Sequence, residues 1–514
     1  MGEAAHFVVV GGGTAGWLAA FVLQDAVRRR KLDAKVTVVE SSKIPTIGVG
    51  EGSTAALRVL MRYLELDEFE FIRQTGATIK FGIRHRDWRR KGHVYDGPID
   101  DPHLVVAAPD GAPADYLNVF AVAAGRKLAD MHLFGHLMAG DKAPFARGGE
   151  RKFVPLGPFH HAYHFDQALV GKYLKTKARG VGLVDAVIEG VTRDGASGDI
   201  TMLKLDNGQS LGGDFFIDAT GFRKRLIVEE LGAAWVSYAK EMPINRAMPF
   251  WLDISPGEEI GPYTLAWAQG AGWLWRIPTQ DRYGCGYAYS DAFLTPDEAK
   301  REIETVLGRT IEVRNDIKLS IGRLQRPWTA NCLALGLASS FLEPLEATSI
   351  HGTIVQLMLF ARDFLKAPAA MTPADHDSYN ARIGRQVDDF RTFINMHYVS
   401  ERDDTPFWRD VSANRLHPDA RERLALWQRE MPKRQHFGDF LEGLPHVEAQ
   451  LHYPVLDGLG LLNRDVARAE MERQPGLRAF ARKTADDLTT EYRAAAGKAM
   501  GHGEFLAAVR AGAG

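Results

Sequence analysis

Phe7-Val8-Val9-Val10-Gly11-Gly12-Gly13-Thr14-Ala15-Gly16 sets an apolar run directly before a G-x-G-x-x-G turn. A helical stretch from Trp17 to Arg30 follows, and then a second strand-like run from Lys35 to Glu40. Strand, glycine turn, helix and strand in this order predict a βαβ unit. Glycines at such a turn let the backbone approach a pyrophosphate at the helix N-terminus, where unpaired N–H groups point outward. Gly11, Gly13, Thr14, Ala15 and Gly16 are therefore candidates for cofactor contact. Glu40 ends the second strand 24 residues after Gly16, where a carboxylate can accept hydrogen bonds from the ribose of an adenine dinucleotide. FAD and NAD both satisfy this pattern.

The 514 residues exceed the roughly 250–300 at which a single core stops growing, so two lobes are expected. Residues 1–370 read as an α/β lobe of Rossmann type with mixed sheets, and residues 371–514 as a mainly helical lobe. Alternating apolar and polar residues through about 180–290, with turns at Asp194-Gly195 and Asn207-Gly208, predict antiparallel sheet. Asp375 to Arg391, Asp419 to Glu430 and Leu477 to Arg493 predict helices. The Ala- and Gly-rich tail after Gly501 is expected to fray.

Lys and Arg total 63 against 65 Asp and Glu, a net charge of -2. Such a balance provides no field to attract nucleic acid or an anionic membrane. The two cysteines, Cys285 and Cys332, form neither a disulfide framework nor a zinc motif, so a cytoplasmic setting is expected. The run from Phe7 to Leu23 lacks the basic start of a signal peptide. No other run approaches a membrane span.

Further motifs bear on chemistry. Asp218-Ala219-Thr220-Gly221 follows the apolar Phe215-Phe216-Ile217 and resembles the second dinucleotide-contacting segment of FAD monooxygenase-type folds, although Asp-x-x-Gly is also ordinary turn chemistry. Gly48-Val49-Gly50-Glu51-Gly52-Ser53 reads as an irregular strap or a plain loop, too rich in glycine for a regular element. Asp218, Gly221, Gly50 and Gly336 join the candidates for cofactor contact.

In Trp273-Leu274-Trp275-Arg276-Ile277-Pro278 the two indoles at i and i+2 fall on one face of a strand, as a bulky wall or as plain core. Lys80, in Thr78-Ile79-Lys80-Phe81, has apolar neighbours. If it is buried, its pKa drops and it becomes a candidate reactive amine; otherwise it is an exposed edge-strand lysine. Thr348 and Ser349 stand where Ile350, Ile354, Leu357, Ala361 and Phe364 begin an apolar helical face. A helix N-terminus there suits a small anion, or the two residues simply cap it. Glu343 and Glu346 fall just before this start. His160, His161 and His164 complete no zinc pattern, which favours polar packing over metal ligation.

Taken together, W-x-W-x-I-P at Trp273 to Pro278, Lys80, and E-P-L-E-x-T at Glu343 to Thr348 resemble the flavin-dependent tryptophan halogenases, from the glycine turn to about residue 410. The resemblance implies FAD, used as FADH2 from a separate flavin reductase, with O2 and chloride or bromide as co-substrates. It implies a halide site at Thr348 and Ser349, and a tunnel wall at Trp273, Trp275, Ile277 and Pro278 that separates flavin from substrate. Hypohalous acid would then reach Lys80, with Glu346 beside it, for attack on an indole or another electron-rich aromatic. Other readings are a flavin-dependent aromatic hydroxylase and a non-catalytic flavin-binding module. Two departures stand out. Thr348-Ser349 replaces the Thr-Gly common in tryptophan-specific members, and the Tyr-Tyr and Glu lid that clamps free tryptophan has no clear match around Tyr398, Tyr453 or Phe437 to Leu462. An indole-type aromatic is therefore at least as good an expectation as free tryptophan. The oligomeric state stays open, a homodimer included.

Overall fold

The computed structural model describes residues 4–44, 50–113, 115–149, 152–437, 444 and 449–513. β1 (Ala5–Val10) leads through the glycine turn into α1 (Thr14–Arg30) and then β2 (Ala34–Glu40). β1 pairs in parallel with β2 on one side. On the other it pairs with the later strand Phe215–Asp218, also in parallel. Both β1 neighbours are thus parallel, and Phe7, Val8 and Val9 are fully enclosed, as both-face burial of a parallel strand requires. α1 covers this sheet with Trp17, Leu18, Ala19, Val22 and Leu23, and it ends with Arg28, Arg29 and Arg30 at its negative pole. The α/β class expected from the sequence is observed.

Two further sheets carry the site. In the small one, β3 (Gly50–Gly52) and β4 (Thr78–Lys80) flank the strand Ala162–Asp166, both antiparallel to it. In the larger one, β5 (Gly82–Arg86) pairs with β6 (Val94–Pro98) and, in parallel, with Thr264–Ala268. The antiparallel strands Gly272–Pro278, Arg282–Tyr289 and Arg246–Asp253 continue that sheet, which matches the antiparallel expectation for this region. A single break, at Phe81, passes the chain from β4 in one sheet to β5 in the other; its N–H is held by the Pro262 carbonyl.

The three helices expected in the C-terminal part occur at Pro373–His397, Pro418–Leu426 and Pro475–Lys498. No helix among the described residues is long and apolar enough to cross a membrane.

Two expectations need correction. Gly50–Gly52 is a regular strand, because the Cα atoms of Gly50 and Gly284 pass so closely that a Cβ on Gly284 would meet Gly50 Cα at 2.6 Å. Glycine is used there for close backbone approach. Gly48 and Val49 lie outside the described residues. The tail does not fray either. Ala499–Gly501 pairs with Lys142–Arg147 and leads into the helix His502–Arg510, whose Phe505, Leu506 and Val509 are buried. His502 anchors it: the ring accepts from the Ile79 N–H at Nε2 (3.1 Å) and donates from Nδ1 to the Ile260 carbonyl (2.7 Å). The last helix is thereby tied to the strand that carries Lys80.

Candidate active site

The glycine turn forms a cradle. A Cβ on Gly11 (φ +119°) would strike the Ala219 carbonyl oxygen at 2.3 Å, and one on Gly16 would strike the Gly11 oxygen at 1.8 Å. A Cβ on Gly13 would meet nothing within 4 Å. Gly13 precedes α1 in extended conformation without a side-chain cap, so the first-turn N–H groups of Thr14, Ala15 and Gly16 have no capping side chain. This arrangement fits the pyrophosphate of a dinucleotide. The fingerprint leaves its second position free, yet Gly12 is constrained too, since a Cβ there would meet Glu40 Oε2 at 2.2 Å. Glu40 sits at the cradle as expected, where its oxygens accept from Trp17 Nε1 (3.0 Å) and from Lys175.

Asp218 and Gly221 reach the same edge, because β1 and Phe215–Asp218 run in parallel with Val10 beside Asp218. The Asp218 carboxylate accepts from the N–H groups of Thr220, Leu226 and Ile227, so it orders the turn from within. Gly336 (φ +58°) packs close to Ala15, its notional Cβ 3.1 Å from Ala15 Cβ. Four of the candidate segments, the glycine turn, Glu40, Asp218 to Gly221 and Gly336, therefore converge at one sheet edge, whereas Gly50 lies in the crossing with Gly284.

Lys80 is buried, 2% exposed. Its Nζ donates to the Ser53 carbonyl at 3.1 Å and passes under Gly52, where a Cβ would come within 3.1 Å of it. Burial pushes the ammonium down to about 8, against the upward pull of Glu346 and Glu51. β4 is an edge strand of its sheet, but burial excludes the exposed lysine of the alternative reading. Glu51 is raised to about 7 by burial, which Gln167 and Lys80 counteract.

Glu346 and Ala347 both adopt left-handed backbone (φ +63° and +55°) immediately before the helix Thr348–Leu359. Such a pair of non-glycine residues costs energy and is concentrated at functional sites. The turn places the Glu346 carboxylate 3.2 Å from His397 Nε2 and 3.7 Å from His85 Nε2. Burial acts to raise the Glu346 pKa, but His397, His85 and Lys80 together bring it below the usual range. His85 is fully buried and stacks on Tyr95 at 4.5 Å. Burial, reinforced by His397, pushes its imidazole down to about 3, so it is neutral. The ligand atoms of His85, Glu346 and His397 lie within 4.8 Å of one another, close enough to share one metal ion; the neighbouring Lys80 charge opposes a cation.

Trp273 and Trp275 face the same side of their strand, ring centroids 6.1 Å apart, and Ile277 and Pro278 continue it, buried. The Trp273 indole donates to Glu343 Oε2 at 2.8 Å, and Tyr398 Oη donates to the same oxygen at 2.6 Å. Burial raises Glu343 to about 7 despite both bonds. Glu343 thus holds Trp273 and Tyr398, and its carboxylate is engaged there and not at the start of the helix Thr348–Leu359. Thr348 and Ser349 do begin the helix, as expected, with Ala347 as the capping residue. Pro278 reaches the small sheet through its carbonyl, which accepts from Thr78 Oγ at 2.8 Å.

His161 bonds to Glu68 at 2.6 Å, and His164 to Thr264 at 2.9 Å, as polar packing predicts. Sequence reading missed His85 and His397 as parts of the site and weighed Tyr398 only for a substrate clamp, not as a partner of Glu343. His85 and Lys80 are only five residues apart, but the Phe81 break was not visible. His397 ends a helix from the other half of the chain. Residues 438–443 and 445–448, within the stretch weighed for a tryptophan clamp, lie outside the described residues.

A family model described as tryptophan halogenase matches residues 6–466. Tryptophan 6-halogenase SttH from Streptomyces toxytricini is 34% identical over 94% of this chain and 96% of its own length. The 7-chloro-L-tryptophan 6-halogenase KtzR from Kutzneria sp. (strain 744) is 35% identical over 85% of this chain and 88% of its own. Among solved structures, BrvH, a flavin-dependent halogenase from Brevundimonas sp. BAL3, superposes with a TM-score of 0.83 at 28% identity, covering 98% of this chain and 99% of that one. A model match spanning the glycine turn, the tryptophan pair and the Glu346 turn, joined by full-length relatives, settles the family: the chain belongs to the flavin-dependent tryptophan halogenases.

Proposed function

We propose that this protein is an FADH2-dependent halogenase that places chlorine or bromine on an electron-rich aromatic of the indole class. The reading rests above all on one observation: Lys80 is buried with its Nζ on the Ser53 carbonyl, in the same site as the Glu346 carboxylate that a left-handed turn aims at His397 and His85. When bound, FADH2 from a separate reductase supplies, with O2, the oxidising equivalents that turn halide into hypohalous acid.

The chain's own residues do the rest. The first turn of α1 holds the pyrophosphate, and Glu40, already tied to Trp17, lies where the ribose would be oriented. Thr348 and Ser349 offer helix N–H groups to the halide. The Trp273 and Trp275 wall, fixed by Glu343, keeps the aromatic from direct contact with the oxidant's origin. Lys80 holds the hypohalous oxygen by an N–H bond and makes the halogen electrophilic. As the carbon–halogen bond forms, Glu346 takes the ring proton and the C–H electron pair returns to the ring. Residues 371–514 act as the substrate-side lobe and contribute His397 and Tyr398.

The test is mass-spectrometric detection of product from indole, tryptophan, indole peptides and phenols, with FAD, a reductase, NADH, O2 and either halide. Halogenated product that depends on halide supports the reading. Oxygenated product without halide would establish a hydroxylase instead.

A further inference from the structure

Three side chains from distant segments meet at the Glu346 turn: His85 from β5, Glu346 itself, and His397 from the end of the helix Pro373–His397. Glu346 Oε1 stands 3.2 Å from His397 Nε2 and 3.7 Å from His85 Nε2, and the ligand atoms of all three lie within 4.8 Å of one another. Among the described residues no other three histidine, cysteine or carboxylate side chains come together in this way. His397 Nδ1 lies 3.0 Å from the Phe393 carbonyl oxygen, which can only accept, so the hydrogen on that nitrogen is fixed and Nε2 is turned toward Glu346. A backbone carbonyl on one ring nitrogen is the usual way to orient a histidine whose other nitrogen binds a metal. His85 is fully buried, and its Nε2 faces the same carboxylate oxygen with no hydrogen-bond partner among the described residues. A buried nitrogen left without a partner needs a reason, and an ion between the three groups would satisfy it.

The spacing suits a small four-coordinate ion. Zn2+ holds imidazole nitrogen and carboxylate oxygen at about 2.0–2.2 Å, and tetrahedral angles then set neighbouring ligand atoms about 3.3–3.6 Å apart. The two Glu346 contacts fall on either side of that range. His85 is the ligand that closes on the ion, because no bond holds its Nε2 and its ring lies flat on Tyr95, planes 7° apart, along which it can slide. Two imidazoles and one carboxylate favour an ion of the zinc class over Ca2+ or Mg2+, which take oxygen ligands.

We propose that His85, Glu346 and His397 form a binding site for Zn2+ or a similar divalent transition ion, with water in the fourth position, and that the bound ion inhibits the protein. The inhibition, unlike the binding, rests on the halogenase reading: a carboxylate committed to the ion cannot take a ring proton. The Lys80 ammonium, coupled to the same carboxylate, repels the ion. Occupancy is therefore reversible and follows the metal concentration.

Binding is read with Co2+, which occupies zinc sites and absorbs strongly in the visible when four-coordinate. The metal-free full chain is expected to take one equivalent with those bands. His85→Phe keeps a ring on Tyr95 and Glu346→Gln keeps the side-chain shape; each should weaken binding about 10-fold or more. Lys80→Met removes the repulsion and should tighten binding about 10-fold or more. No bands in the parent, or binding unchanged in either ligand variant, would overturn the site, and equal affinity in Lys80→Met would place the ion outside this pocket. Inhibition is read separately, with chemically reduced flavin so that no reductase meets the ion. Saturating Zn2+ should slow halogenation about 10-fold or more, leave FADH2 oxidation intact and be reversed by EDTA. Unchanged halogenation by protein carrying one equivalent would overturn the inhibition. The Co2+ titration needs no turnover, so failure of the halogenase reading alone would leave its result standing.

Discussion

The dinucleotide cradle and the Lys80 pocket are built in opposite ways. The cradle is local: β1, the glycine turn, α1 and β2 lie within 40 residues, and the Asp218 to Gly221 segment enters by direct strand pairing with β1. The pocket is assembled from β4, β5, the Glu346 turn and the end of a helix at His397, segments more than 300 residues apart. Local glycine sterics specify the first, whereas tertiary packing and mutual electrostatics specify the second. The cradle should therefore fail outright when a side chain is added, and the pocket should fail in graded steps as partners are removed.

The largest effect is expected from Gly16→Val. Its Cβ would sit 1.8 Å from the Gly11 oxygen, so flavin titration should show binding lost while the remainder of the chain stays folded. Glu346→Gln comes next. It keeps the shape and removes the base, and product formation should drop on the order of 10²-fold in an assay that leaves flavin binding unchanged.

The Lys80 ammonium gives a pH signature. Its folded value, about 8, lies below the ordinary 10.5, so between these values the unfolded chain binds the extra proton and stability rises with pH. Below pH 8 both states are protonated and the slope vanishes. Denaturation across pH 7 to 11 should show this gain, about 3 kcal/mol in all, and Lys80→Met should erase it. Halogenation should fall as pH rises through about 8, when the ammonium that holds hypohalous acid becomes a neutral amine and a much weaker donor.

Smaller effects belong to the supports. Trp273→Phe removes a donor from buried Glu343 and should cost about 1–3 kcal/mol in chemical denaturation. His502→Leu strands the Ile79 N–H and the Ile260 carbonyl. A loss of similar size, about 1–3 kcal/mol, should appear with no change in flavin affinity.

The same contrast explains what could be read from the sequence. The βαβ start, the antiparallel middle and the C-terminal helices follow from periodicity and turn residues, which act over short distances. Lys80 was legible because its flanks are apolar, and the face shared by Trp273 and Trp275 follows from strand alternation. Nothing local marks His397, a histidine near the end of an amphipathic helix, or the left-handed pair Glu346 and Ala347, which neither residue type favours. The tail misled because its composition suggests fraying, while Phe505, Leu506 and Val509 bury one side of a short helix. Gly50 misled for the complementary reason: glycine marks close approach as readily as flexibility.

The most direct test of the account is Lys80→Ala, with FADH2 oxidation and halogenated product followed together against an aromatic that the parent accepts. The account predicts that oxidation continues at the parent rate while halogenated product disappears, because the oxidant still forms but is no longer held at the ring. Halogenation at the parent rate would contradict the assignment of Lys80 and, with it, the central role of the buried pocket.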